Sequence, residues 1–353
     1  MDRPQDFAGP VEGRQGGTRG GGTRTRRVTI KDIAALTGVA TSTVSRALSN
    51  PGRVNPATRE RIETAARQLH YVPNSQARAL TSGRTDTVAL LVSDVTNPFY
   101  FGLIRGTQMP LKAAGYAQLL IDTEDSGEVE RQMLDKMRQS IDGAILAASR
   151  LSDRALAALA AEVPLVAVNR DVRGVQSVVI DTPSGISQAV EHLTSLGHRD
   201  VVYVSGPANS WSNEARWRAV WAASARHDLR ARRIGPFPPG RLSGSAAADA
   251  VVNTGATACL VFNDLLAIGV LTRLRERGIR VPADVSVVGC DDIFGADFCH
   301  PPLTTLTAPI ERAGQVAVSM LLSRLTERSP HAVRRLAVLP THLTVRDSTG
   351  PVR

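Results

Sequence analysis

Thr41-Ser42-Thr43-Val44-Ser45-Arg46-Ala47-Leu48 carries the residue types with the clearest chemistry in this 353-residue chain. On a helix whose Val44 and Leu48 face inward, the hydroxyls of Thr41, Ser42 and Ser45 and the guanidinium of Arg46 share the outer face. Such groups bond base edges and phosphates, which is how a helix in a major groove reads duplex DNA. Bond-breaking chemistry finds no equivalent. His192, His198, the adjacent Cys299-His300 and the adjacent Asp291-Asp292 lack a nucleophile elbow, a converging carboxylate pair or metal-ligand spacing. No catalytic residue, metal or cofactor is assigned.

The elements that hold this stretch are legible on both sides. Thr29 is placed to cap a first helix in which Ile30, Ile33, Ala34 and Leu36 form an apolar face. Gly38 then supplies the positive φ of a tight turn, and a second helix capped by Thr41 or a neighbour runs to about Leu48. Asn55 caps a third helix with Pro56 at its first position, and Ile62, Ala65, Ala66 and Leu69 give it an apolar stripe. This is a helix-turn-helix, with Val39, Val44 and Leu48 packing inward.

Charge separates this module from the rest. Residues 1–84 hold 14 lysines and arginines against 6 acids, a net +8, whereas residues 86–353 hold 28 against 27, a net +1. A generally basic protein would spread its excess; here nearly all of it sits where a polyanion is to be met. Residues 1–27, rich in Gly and Arg, have too few apolar residues to offset ordering and are expected to be disordered. They lack the apolar region of a secretory signal, and no run of about twenty apolar residues appears. With three cysteines, Cys259, Cys290 and Cys299, a reducing cytoplasm is expected, with no disulfide and no membrane association.

After a linker ending near Thr85, short apolar runs alternate with amphipathic helices. Residues 88–92, 118–121, 144–146 and 165–168 read as buried strands, with helices at 99–114, 127–139 and 152–161. Strands at 201–204, 259–262 and 285–289 repeat the pattern. The expected fold is α/β: a helix-turn-helix domain followed by two lobes of doubly wound parallel sheet, with a ligand cleft where strand ends face each other.

Three motifs, Val28-Thr29-Ile30-Lys31-Asp32-Ile33-Ala34, Thr43-Val44-Ser45-Arg46-Ala47-Leu48 and Tyr71-Val72-Pro73-Asn74, resemble the lactose- and galactose-repressor family of bacterial transcription regulators. Further resemblance lies in Asp94-Val95-Thr96-Asn97-Pro98-Phe99, Phe262-Asn263-Asp264 and Val287-Val288-Gly289-Cys290-Asp291-Asp292, so that residues 28–346 are covered. It implies a two-lobed core similar to periplasmic sugar-binding proteins, crossed by the chain near Asp181, Thr307 and Leu339. The division expected is a leader at 1–27, a headpiece at 28–73, a hinge helix and linker at 74–85 and a core at 86–353. The first lobe would take about 86–181 and 308–338, the second 182–307 and 339–346. Residues 74–80 resemble the family's hinge helix, with Leu80 in the place of a leucine that wedges into the minor groove.

On that resemblance the DNA-contacting residues are Thr41, Ser42, Ser45, Arg46, Arg53, Asn74 and Leu80. The effector-binding residues are Phe99, Asn169, Arg216, Asn263 and Asp291, whose amides, carboxylate and guanidinium suit a polyol. The partners implied are palindromic operator DNA, a small effector of sugar type and a second copy of the chain. A cytoplasmic, nucleoid-associated regulator, most simply a repressor, is the function expected. A sugar-transport binding protein would need an export signal and no headpiece; an enzyme would need a reactive constellation.

Several finer expectations accompany these. Asp264 is read as the cap of the helix after Asn263, Trp211 as a loop residue able to reach the cleft, and Trp217 and Trp221 as packing residues. The apolar run from Gly314 to Leu322 and the helix from Phe99 are read as parts of a dimer face. Phe237-Pro238-Pro239-Gly240 and Cys290 depart from the family pattern at the ligand site. The tail after Arg346 shows no heptad, so no tetramerising coiled coil is expected.

Overall fold

The computed structural model describes residues 28–49, 51–72, 83–326 and 335–352. The leader at 1–27 and the hinge segment with Asn74 and Leu80 lie outside the described residues. The chain divides into two compact units, Met1–Ser75 and Gln76–Arg353.

In the first unit, α1 (Ile30–Thr37), α2 (Thr41–Ser49) and α3 (Pro56–Gln68) pack around Ile33, Val44 and Ile62, all fully buried. Asp32 accepts hydrogen bonds from the Thr29 backbone N–H and hydroxyl, both 2.8 Å, fixing the start of α1. Gly38 ends it at φ 67°, a conformation that other residues adopt only under strain. Asn55 Oδ1 accepts from the Ala57 N–H at 3.0 Å to begin α3. One detail differs from the sequence reading: Leu36 is 56% exposed rather than part of the core. Of Thr41 and its neighbours, Ala40 starts α2, its carbonyl accepting from Thr43 and Val44 N–H.

The second unit contains two six-stranded sheets. The first has the order β11 (Leu336–Pro340), β5 (Gln176–Asp181), β4 (Leu165–Val168), β3 (Gly143–Ala147), β1 (Thr87–Val92), β2 (Ala117–Asp122), all parallel. The second runs β12 (His342–Thr344), β10 (Thr304–Thr307), β9 (Ser286–Asp291), β8 (Ala258–Val261), β6 (Asp200–Val204), β7 (Arg230–Ile234), parallel except for β12. Strands buried on both faces read as continuous apolar runs. In β1, Val88, Leu90 and Val92 face one cluster while Ala89 and Leu91 face another.

The connecting helices cover these faces: α4 (Phe99–Ala113), α5 (Gly127–Met137), α6 (Asp153–Glu162) and α11 (Ile310–Thr326) with the first sheet, and α7 (Thr182–Ser195), α8 (Trp211–Arg226), α9 (Gly244–Thr254) and α10 (Asp264–Glu276) with the second. The chain passes between the sheets after Asp181, between Thr307 and Ile310, and between Pro340 and His342.

The pairing of α4 with α11 takes up one side of each of the two helices expected at a dimer face. Gly106 lies so close to α11 that an added Cβ would stand 2.1 Å from the Glu311 carbonyl oxygen, and one at Gly314 would stand 2.9 Å from the Leu103 carbonyl oxygen of α4. Ala313, Ala317, Val318 and Leu321 are fully buried in the first lobe's own core, so most of that apolar run is consumed internally. Exposed apolar side chains remain on α4 at Phe101 and Met109, and on the second lobe at Phe294 and Phe298.

Candidate functional site

On α2, Thr41, Ser42, Ser45 and Arg46 are all exposed, and so is Arg53 in the 3-10 turn that follows. The division of α2 is steric: Val44 and Ala47 are buried against α1 and α3, which turns the polar positions outward. The exposed face holds three hydroxyls and a cation and no carboxylate, a donor-rich surface for an anionic polymer.

The second candidate lies between the lobes of the core. A narrow cavity of about 40 Å³ separates Ser93, Asn97, Phe99, Tyr100, Arg150 and Asn169 of the first lobe from Ser212, Arg216, Pro239, Phe262, Asn263 and Asp291 of the second. These positions lie at or after strand ends or in the first two turns of a helix, at the carboxyl edge of each sheet, which is where open parallel sheets present side chains to a ligand.

Arg216, in the second turn of α8 and 3% exposed, organises the second-lobe wall. Its Nη2 donates to Asp291 Oδ1 at 2.9 Å, its Nη1 donates to the Phe262 carbonyl, and its guanidinium lies 4.9 Å from the centre of the Phe262 ring. Burial works against its charge, but Cys290, Asp291 and Tyr203 outweigh that and hold the guanidinium above its ordinary value. Burial also pushes the Asp291 carboxyl up, with Arg216 pulling the other way. Asp291 itself has φ 120°, a strained conformation held in place by the ion pair.

Asn263 is doubly occupied. Its Oδ1 accepts from Leu266 N–H at 3.1 Å, capping α10, and its Nδ2 donates to the Pro239 carbonyl at 2.9 Å. The cap is therefore Asn263 and not Asp264. Asp264 is instead wholly buried, accepting from Thr305 Oγ1 at 2.6 Å and from Ile293 N–H at 3.0 Å. Burial, then the charge of Asp291, pushes its carboxyl up to about 7.

On the first-lobe wall, Asn169 adopts φ 58°, which asparagine tolerates better than most residues, at the end of β4. Phe99 is 7% exposed; it belongs to the first-lobe core and also lines the cavity, meeting Tyr100 edge to face at 5.3 Å. Residues that the sequence reading did not single out complete the wall. Tyr100 and Ser93 share a 2.7 Å hydrogen bond, and Arg150, with its side chain 5% exposed, pairs with Asp125 at 2.6 Å. The signal available for them was position: both follow or face a strand end. Trp211 is the first residue of α8 rather than a loop residue, and its neighbour Ser212 lines the cavity.

Two polar atoms in this enclosure are buried without a hydrogen-bond partner: Asn169 Oδ1 on one wall and Arg216 Nε on the other. An acceptor and a donor left open across one cavity are what a hydroxyl-bearing ligand would satisfy.

The comparisons with known proteins agree with both parts. Residues 29–74 match the profile of bacterial regulatory proteins of the lacI family, and residues 190–349 match a periplasmic binding protein-like domain. The HTH-type transcriptional regulator CelR of Thermobifida fusca is 36% identical over 342 residues, covering 92% of this chain and 99% of that protein. The chain belongs to the lacI family of bacterial regulatory proteins. Among solved structures, the lac repressor dimer bound to operator and the anti-inducer ONPF superposes with a TM-score of 0.80 at 28% identity, over 92% of this chain and all of that one. A complex of CelR with cellobiose gives 0.67 at 32% identity over 91% and 100%. This lacI-family chain is thus a ligand-responsive transcription regulator by descent as well as by architecture. Among the described residues no helix is long and apolar enough to cross a membrane.

Proposed function

We propose that this regulator represses transcription as a cytoplasmic, nucleoid-associated homodimer bound to a palindromic operator. A sugar or similar polyhydroxylated metabolite in the interlobe cleft governs that binding, and no chemical reaction is performed on it. The observation that carries this reading is the pair of open polar atoms, Asn169 Oδ1 and Arg216 Nε, on opposite walls of a cavity that also presents aromatic rings at Phe99 and Phe262. Rings of this kind pack on the apolar face of a sugar while amides, carboxylate and guanidinium take its hydroxyls. A cavity of about 40 Å³ holds little more than a water, so the lobes must part to admit the ligand. Effector binding therefore favours one lobe orientation over another, and the resulting population shift alters the docking of the DNA-binding ends.

Thr41, Ser42, Ser45, Arg46 and Arg53 are the proposed contacts to DNA, with Asn74 and Leu80 at the operator centre. Phe99, Asn169, Arg216, Asn263 and Asp291 are the proposed effector contacts, to which the cavity adds Tyr100 and Arg150. That CelR is seen with cellobiose and the lac repressor dimer with operator supports the class of both partners. Thermal-shift screening of the full-length protein against mono- and disaccharides, followed by operator selection with and without the hit, tests the proposal. A stabilising sugar that also changes DNA affinity is expected; a stabilising sugar with no effect on selected DNA overturns the coupling.

A further inference from the structure

A second hollow lies on the outer side of the second lobe, between α8 and the edge strand β7, with a volume of about 490 Å³. That falls within the range of roughly 300–1,000 Å³ typical of small-molecule sites. Its walls are Trp221, Ala225, Leu229 and Ala231, and Trp221 is 61% exposed. This corrects the sequence reading, in which Trp221 packs as Trp217 does. Trp217 stacks on the buried Tyr203 ring at 5.9 Å, whereas the Trp221 ring meets Trp217 tilted at 52° and leaves much of its surface open.

Ser224 is 2% exposed and lines the same hollow, yet its hydroxyl has no hydrogen-bond partner. A buried hydroxyl left open costs stability, which a ligand reaching it would recover. At the rim, Asp200 holds two arginines: Arg230 at 3.1 Å and Arg232 at 2.9 Å. Arg232 is further fixed by donating to the Thr254 carbonyl at 2.8 Å. One carboxylate between two guanidiniums leaves the rim with a net positive charge and forked donors to spare.

The geometry points to a binding site for a small aromatic carboxylate. Its ring would lie against Trp221, its carboxylate would meet Arg230 and Arg232, and a ring hydroxyl would bond Ser224. Asp200 preorganises the two guanidiniums, and the hollow shares no lining residue with the interlobe cavity.

The test is calorimetric titration of the full-length protein with 4-hydroxybenzoate, benzoate and benzyl alcohol. Saturable binding of 4-hydroxybenzoate is expected, with benzyl alcohol weaker by about tenfold or more because the charge-assisted bonds are lost. Arg232→Gln is expected to weaken both carboxylates, and Ser224→Ala to remove the preference for 4-hydroxybenzoate over benzoate without lowering the melting temperature of the free protein. Trp221→Ala is expected to abolish binding, while Asp291→Asn, in the other cavity, leaves it unchanged. The absence of saturable binding overturns the inference, as does equal affinity for benzyl alcohol or binding that both Arg232→Gln and Trp221→Ala leave intact.

Discussion

The DNA-facing helix and the interlobe cleft are built on opposite physical plans. On α2 the working side chains stand in water, and only the inward residues Val44 and Ala47 hold the helix in place. In the cleft the working side chains of Arg216, Asn169, Asn263 and Asp291 are themselves buried, with Arg216 and Asp291 held by each other and Asn263 by backbone. Function and stability are therefore separable on α2 and entangled in the cleft. Substitutions on α2 should alter binding alone, whereas substitutions in the cleft should alter both.

The largest effect is expected for Arg216→Ala. Removing the guanidinium leaves Asp291 buried and unpaired, a change that costs about 3–5 kcal/mol. Chemical denaturation would show it, together with loss of any effector response; a variant as stable as the parent would mean that the pair is not buried in solution. Next is Gly106→Ala, away from both sites. A methyl 2.1 Å from the Glu311 carbonyl must push α11 from α4 at a cost of about 1–3 kcal/mol. That separates plain packing loss from the loss of a working group, since effector response should survive wherever the protein still folds.

Arg46→Ala should weaken selected DNA about tenfold to a hundredfold and relax its sequence preference, with no change in melting temperature. A melting temperature that falls along with affinity would break the contrast between the two regions. The pH dependence sharpens it further. Because burial raises Asp264 to about 7, the folded protein keeps a proton that the unfolded chain releases above about 4. The stabilising contribution is fully present below the ordinary carboxylate value and is lost as pH rises through about 7. Comparing melting temperatures across that window, Asp264→Asn should flatten the decline relative to the parent; parallel curves would remove Asp264 as its source.

How much of this was legible in the sequence follows the same division. The headpiece is local: caps at Thr29 and Asn55, the turn at Gly38 and the inward positions lie within a few residues of one another, so spacing sufficed. Leu36 misled because the buried face of α1 runs through Ile33, Ala34 and Thr37, which leaves Leu36 on its flank. In the core, buried strands such as β1 and β3 declared themselves as apolar runs. The edge strand β7, Arg230-Ala231-Arg232-Arg233-Ile234, did not, because one side of it meets water and its charges mask the pattern. The cleft itself followed from the two lobes of parallel sheet, but its residues were legible only through family resemblance. That Asn263 rather than Asp264 caps α10, and that Tyr100 and Arg150 join the wall, depends on contacts between residues far apart in the chain. No periodicity records such contacts.

One measurement bears most directly on a surface reader governed from a buried cleft. Retardation of a selected palindromic fragment by the full-length protein is followed with and without a sugar that raises its melting temperature, for the parent and for Asp291→Asn. The account predicts that the sugar shifts the parent's affinity by about fivefold or more, while Asp291→Asn holds the same DNA without responding. Sequence-blind retardation of every fragment, or an Asp291→Asn protein that answers the sugar as the parent does, would contradict it.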